Sequence, residues 1–533
     1  MIGVRRSRFL LVIAATLGLA AAARAEGIFP VNNAGSGNWV FDQPSVAANG
    51  TLLHVAFVGD PAAGADGSPN TRLYYAAVNG AADFTNKATT RDQVLVTAPV
   101  AIDNALFNQS RHPQIALRSA TELVILFQAI PVGDNTHKLF RALVTISNNA
   151  VTSQRVDEIR DAAGARIPGK LSDPSFGIVT SDNTMRIAFS SFPSAVAGAP
   201  YSDVYYARAG LENARVAVAP ILLTKTVGST GVSALPRLRL DGNNYNHIVW
   251  AANNSDPART TPAGIYYAMV YPIPPGVADN VAIGATQVLS GGYRWGFPNL
   301  LLTASTAVWI LAADEPPSGQ ATGLAGSVGI SEVNPYAVTH DGNPVNVNNL
   351  ASNTSFFLNP PGGSVLSSGF DAYQLETAFD SQSRLHLAGY GFRYADGHGT
   401  PGRYYVMAIG STATSSGTTS VFATMVASPV FVGTGDIAFA TQLPGDYTRP
   451  AFAHFSGRSI QFWSGPDNVV TGARNLYVTS TYSPSDPTSQ SGCSMVDGPR
   501  GHDAGRIPGA AVLLLPAALL ALRRAARKAF AAR

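Results

Sequence analysis

An apolar strand opening on proline, a polar turn, a second apolar strand and a third containing Tyr-Tyr-Ala recur along this chain. The first copy reads Pro44-Ser45-Val46-Ala47, a turn at Asn49-Gly50, Leu53 to Phe57, then Leu73-Tyr74-Tyr75-Ala76. The fourth is the clearest: Pro236-Arg237-Leu238, a turn at Asp241-Gly242, His247-Ile248-Val249-Trp250 and Ile265-Tyr266-Tyr267-Ala268. Further copies open at Pro113, Pro174, Pro298, Leu375 and Pro450, so successive openings lie 69, 61, 62, 62, 77 and 75 residues apart. Within each unit apolar and polar positions alternate over about five residues, the period of a half-buried strand.

A repeat of this length is one supersecondary unit. A lone sheet of three or four strands cannot bury both faces. Units packed radially can, and circular closure leaves only short protected edges. The seven openings therefore predict an all-β fold, a seven-bladed β-propeller over residues 26–482. The last unit enters a linker after Leu476-Tyr477-Val478 and has no fourth strand of its own. Residues 28–40, ahead of the first unit, are expected to supply it and to join the ends of the ring.

Composition adds delivery and charge to this picture. Of 533 residues, 46% are hydrophobic and 13% charged, about half the roughly 25% charged content of soluble domains. A chain this apolar is not disordered. Its net charge of +3 belongs to the ends, because residues 26–492 carry 25 basic against 31 acidic side chains. An acidic body is a poor match for a phosphate backbone, so no nucleic-acid partner is expected.

The N-terminus reads as a signal peptide over residues 1–25: Arg5, Arg6 and Arg8, an apolar core from Phe9 to Leu19, and Ala23-Arg24-Ala25 as cleavage site, with Ala25 its last residue. At the other end, residues 483–506 form a Ser/Pro/Gly-rich linker that contains Ser491-Gly492-Cys493-Ser494. Residues 507–533 hold an apolar stretch, 507–522, and the basic run Arg523-Arg524-Ala525-Ala526-Arg527-Lys528. The apolar stretch is a little shorter than the ~20 residues that span a bilayer, with arginines placed to snorkel. This order resembles bacterial C-terminal sorting signals of the JDVT-CTERM kind, with Myxo-CTERM and GlyGly-CTERM signals as relatives in design. The resemblance implies export to the cell surface or outer envelope. It also implies a membrane anchor or transmembrane helix before processing, a sorting peptidase as partner, and cleavage or lipidation at Cys493. Cys493 is the only cysteine, so the body is expected to hold together by packing without an internal disulfide.

The unit P-x-[IL]…(D/N)-G-x-x-H-[IV]-x-[WF]…[IL]-Y-Y-A resembles the blade repeats of sialidase-like, BNR-related secreted propellers over nearly all of residues 42–482. The Asp-box S-x-D-x-G-x-x-W of that superfamily is absent. In a propeller the first strand of each blade lines the channel, so residues just before it are expected to ring one mouth. That ring reads Asp42 and Gln43, Arg111 and His112, Asp173, Leu235, Trp295 and Phe297, Tyr373 and Gln374, and Arg449. Guanidinium groups grip carboxylates and aromatic faces stack on sugar rings, so Arg111, His112, Asp173, Trp295, Tyr373 and Arg449 are the expected ligand-binding residues. The resemblance further implies a catalytic set of Arg111, Arg294, Arg449 and Tyr373 with Asp173 as acid/base. The alternative for each of these residues is a turn cap or an inter-blade pair.

No HExxH, paired CxxC, Walker loop or GxSxG occurs, and neither a metal nor a cofactor is expected. His54, His247 and His386 recur at equivalent strand positions and read as structural repeat residues. The expectation is a monomeric, surface-anchored propeller that binds a ligand, a glycan or envelope polymer, at one mouth of its channel. The alternatives are a sialidase-like glycoside hydrolase or polysaccharide lyase, and a structural envelope protein without catalysis.

Overall fold

The computed structural model describes residues 29–32, 40–60, 71–84, 89–103, 107–192, 202–224, 232–253, 264–271, 279–290, 294–295, 298–302, 308–315, 328–333, 353–358, 370–379, 385–393, 403–410, 424–425, 430–431, 451–455, 458–466 and 474–482. The proposed signal peptide, linker, sorting cysteine and apolar tail lie outside them. Among the described residues no helix is long and apolar enough to cross a membrane.

The fold is all-β; the described helical structure is one turn, Arg91–Val94. The first repeat forms an antiparallel meander of Val40–Asn49, Leu52–Asp60, Arg72–Asn79 and Leu95–Ala101. A tight turn with Gly50 at φ 58° joins the first two strands, a backbone conformation that favours glycine. The second repeat gives Phe107–Leu117, Glu122–Pro131, Lys138–Ser147 and Ala150–Glu158. The third gives Lys170–Val179, Thr184–Phe192, Asp203–Gly210 and Ile221–Leu222. The fourth gives Val232–Leu240, Asn246–Asn253, Gly264–Tyr271 and Asn280–Ser290. Later repeats open on Asn299–Leu302, Phe370–Phe379 and Ala451–Phe455.

The second strand of a repeat shows how the sheets pack. Leu53, Val55 and Phe57 point into a core shared with Ile460, Phe462, Leu476 and Val478 of the last repeat. Ala56, between them, faces Ile115, Ile125 and Phe127 of the second repeat. Adjacent residues on a strand serve opposite neighbours, as the two-residue side-chain period requires. The half-buried alternation expected from the sequence is corrected here: strand Glu122–Pro131 is buried at seven consecutive positions, Leu123 to Ala129. Each such Val, Leu or Phe contributes about 1.5–3 kcal/mol of burial. Meanders packed on both faces in chain order are a β-propeller architecture.

The first strands of the sheets also meet one another. Val40–Asn49 touches Phe107–Leu117, which touches Lys170–Val179, which touches Val232–Leu240. The contacts continue through Asn299–Leu302, Phe370–Phe379 and Ala451–Phe455, which returns to Val40–Asn49. The expected contribution of the N-terminal segment is present: Phe29–Pro30 pairs antiparallel with Arg474–Tyr482, Phe29 opposite Val478. Val40 then bridges in parallel to Arg474, so strands from both ends of the chain share one eight-stranded sheet.

Candidate functional site

The first strands begin earlier than the prolines that mark them in the sequence. In five sheets the ladder skips two residues: Gln43-Pro44, His112-Pro113, Asp173-Pro174, Leu235-Pro236 and Gln374-Leu375. Proline has no N–H to give the ladder and is tolerated at such bulges. The residue before it turns to φ 53° at Gln43, 49° at His112, 52° at Asp173 and 59° at Leu235. These are left-handed conformations rarely held by side chains other than glycine, and held strain of this kind clusters at functional sites. Of the residues expected to ring a channel mouth, Gln43, His112, Asp173 and Leu235 are built into the first strands of their sheets, part-buried or buried, because the ladder resumes on both sides of each bulge.

The bulges are stitched to one another. The His112 N–H donates to Gln43 Oε1 at 2.7 Å, and the Asp173 N–H to Gln128 Oε1 at 2.7 Å. The Asp173 carboxylate in turn accepts the Leu235 N–H. One residue beyond each proline, Ser45 Oγ accepts the Ile115 N–H and Ser175 Oγ accepts the Leu238 N–H. Between these serines, Arg237 Nη1 donates to Gln114 Oε1 at 2.8 Å, reaching from the fourth sheet to the second.

At one junction the pattern changes. Gln128 takes over as acceptor of the Asp173 N–H, and the His112 side chain turns to the Asp173 side chain instead. His112 Nδ1 lies 2.8 Å from Asp173 Oδ1, with both side chains more than four-fifths buried. The contact is within ion-pair distance, and His112 Nε2 is buried without a hydrogen-bond partner. Burial pushes the Asp173 carboxyl up. The bond and charge of His112, the Ser172 hydroxyl and the Leu235 amide outweigh that and hold it below the usual carboxylate range.

Behind this pair, His137 Nε2 lies 2.9 Å from Gln109 Oε1. Burial, aided by the charges of Lys170, Arg111 and His112 and opposed by Asp173, pushes the His137 imidazole down to about 3. His137 is thus neutral at ordinary pH, and Arg111 and Lys170 supply the positive charge of the site. Among the described residues no group of three or more His, Cys, Asp or Glu side chains could hold a metal ion.

Of the residues expected from the sequence, the structure brings Arg111, His112 and Asp173 together. Arg294 and Trp295 form a two-residue strand opposite Glu315 and Asp314. Tyr373 lies on an inner strand opposite Tyr390, immediately before its bulge, and Glu376 immediately after. Arg449, Cys493 and Ala25 lie outside the described residues. Gln109, Gln128, His137 and Lys170 were not indicated by the repeat, since none occupies a recurring position. The equivalent histidines have the structural role expected of them: His54 Nδ1 is 2.8 Å from the Tyr75 hydroxyl, and His247 Nδ1 is 2.8 Å from that of Tyr267. His386 shares their register, opposite Ala408.

No family model matches the chain, and no curated protein does. Solved structures similar to it include a protein of unknown function from Dyadobacter fermentans, 12% identical, TM-score 0.45, covering 86% of this chain and 98% of that one. The Hadza microbial sialidase Hz136 is 10% identical with a TM-score of 0.40, over 78% of this chain and 73% of that one. The α-L-arabinofuranosidase Arb93A from Fusarium graminearum is 9% identical with a TM-score of 0.38, over 86% and 97%. The chemistry of the site follows from its own side chains.

Proposed function

We propose that this protein is an exported, cell-surface-anchored, seven-bladed β-propeller that binds a glycan, with acidic sugars favoured, in one opening of its central channel. The blade count is supported by the inner strands, which touch in chain order and return from Ala451–Phe455 to Val40–Asn49. Closure is supported by the pairing of Phe29–Pro30 with the last strand.

The observation that carries the ligand reading is the held arrangement of Arg111, His112 and Asp173. Each bulge amide there is bonded to a glutamine, and the carboxylate is fixed by three donors. Guanidinium and ammonium groups beside a polar, part-buried wall suit a sugar carboxylate and its hydroxyls.

Topology supports surface display. Lys170 begins an inner strand and His137 immediately precedes a third strand, so the cationic cluster opens toward the face where these strands start. The last strand ends at Tyr482, level with Arg458 and Phe455 at the opposite face. A tail anchored through residues 507–522 would leave the binding opening directed away from the membrane.

The test is a glycan-array screen with residues 26–482, followed by calorimetric titration of any hit against the Arg111→Ala variant. Binding of acidic glycans, weakened tenfold or more by the substitution, is expected. Silence across acidic and neutral sugars would contradict the reading and favour a purely structural envelope protein.

A further inference from the structure

Resting on the glycan reading above, we propose that Phe192 is the platform on which a bound sugar ring stacks and that Lys170 takes the sugar's carboxylate, which makes β-linked glucuronate the preferred unit. Lys170 opens the inner strand of the third sheet and Phe192 closes the strand beside it. The two are cross-strand partners at the face where the cationic cluster opens. The Lys170 ammonium stands over the Phe192 ring, 5.4 Å from its centroid. Lys170 is exposed and Phe192 half-buried, so the pair is open to solvent. The charge of Lys170 acts on the buried His137, which sets the pair beside the residues described above.

The platform is held firmly and its cation loosely. Gly169 has φ 86°, and a Cβ built there would come within 2.7 Å of the Phe192 carbonyl oxygen and 2.9 Å of Ser191 Oγ. The Gly169 carbonyl accepts Lys138 Nζ at 2.8 Å. The two strands therefore approach more closely than a side chain at Gly169 would permit, which fixes the backbone that carries the ring against the backbone that carries Lys170. No ion pair among the described residues includes Lys170. A cation over a ring at an exposed site is a weak contact, and a charge-assisted hydrogen bond to a carboxylate is a stronger one. An acidic ligand thus draws the ammonium off the ring.

The uncovered ring then selects the sugar. The face of a phenyl group is electronegative and attracts the polarised C–H groups of a pyranose as it attracts a cation. In β-glucuronate every ring substituent is equatorial, so both faces present axial hydrogens alone, and the C5 carboxylate lies at the ring edge, where the displaced lysine meets it. In α-galacturonate an axial oxygen stands on each face, at C1 and at C4, and holds the sugar off the phenyl group. A neutral β-glucoside fits the ring but gives Lys170 no reason to leave it.

The experiment uses the full chain with methyl β-glucuronide, methyl α-galacturonide and methyl β-glucoside, read by calorimetric titration and by NMR saturation transfer to the sugar protons. The glucuronide should bind about tenfold or more tighter than the other two, with saturation strongest on its ring C–H protons. Phe192→Leu should weaken it by about tenfold or more, while Phe192→Tyr, which keeps the aromatic face, restores binding. Lys170→Met should erase the preference for glucuronide over glucoside. Circular dichroism melts check that the variants fold. Full binding by Phe192→Leu, equal binding of the three sugars, or no binding of the glucuronide by a chain that still binds other acidic glycans would overturn the platform while leaving the glycan site standing. No binding of these sugars or of any arrayed glycan would overturn both.

Discussion

Asn32 Nδ2 donates to Asn475 Oδ1 at 2.7 Å, joining two buried carboxamides 443 residues apart in the chain. Asn32 Oδ1 also accepts the Leu476 N–H at 2.8 Å, and the Val31 N–H donates to the Leu476 carbonyl at 2.7 Å. One side chain near the start of the body thus satisfies both a carboxamide and an amide of the last strand. Asn32→Ala removes both of these bonds, and a buried group deprived of its partner costs about 1–3 kcal/mol. The expected outcome is a urea midpoint lowered by an amount matching a loss of about 2–5 kcal/mol, with Asn475→Ala lower by less. An unchanged midpoint would mean that the N-terminal segment does not hold the ends together.

A second join is electrostatic. Tyr206 donates to Asp279 Oδ2 at 2.6 Å, and Arg208 Nη1 lies 3.1 Å and Arg186 Nη1 3.6 Å from the same carboxylate, all four residues being buried. The third and fourth sheets meet there. Asp279→Ala removes the carboxylate that both buried guanidinium groups face, and breaking a buried pair typically costs about 3–5 kcal/mol. The exposed Arg166–Asp134 pair is the control, since surface pairs contribute about 0–1 kcal/mol. Equal effects of Asp279→Ala and Asp134→Ala on thermal unfolding would refute the contrast.

Stability should fall with acid before the carboxylates titrate. Burial pushes the His54 imidazole down to about 4, whereas an unfolded histidine titrates near pH 6.5. The unfolded state therefore binds more protons below that point. The stability is fully present above about pH 6.5 and is lost as the pH falls toward the folded value near 4. For His54 alone the loss at pH 5 is about 2 kcal/mol, and His137 acts in the same direction. In the His54→Gln variant the drop in urea midpoint between pH 7 and pH 5 should be smaller than in the parent. An equal drop would exclude His54 as a source.

The orientation of the tether is testable on cells. Gly133 and Gly50 both have open space around them, and they lie on turns at opposite faces of the sheets. An epitope inserted at Gly133 shares the face of the cationic cluster and should stain intact cells more strongly than one inserted at Gly50. Stronger staining at Gly50 would reverse the proposed display.

Much of this architecture was legible because it depends on short-range rules applied repeatedly. Prolines at 44, 113, 174 and 236 mark inner strands, since a residue without an N–H has few places in a sheet. The Tyr-Tyr-Ala strands follow from alternation: Tyr74 stacks on Phe57, while Tyr75 turns to the other face and meets His54. The site was less legible. A proline reads as the start of a strand and so points to a rim, whereas here it marks a bulge inside the strand. Gln43 and Gln128 bond amides in the next sheet, 69 and 45 residues away. A glutamine that serves a distant backbone group leaves no local pattern.

A crystal structure of residues 26–482 tests the central claim most directly. The account predicts seven four-stranded sheets around one channel, Phe29 paired with Val478, and His112 against Asp173 in the channel wall. Another number of sheets, or an N-terminal segment away from the last strand, would contradict it.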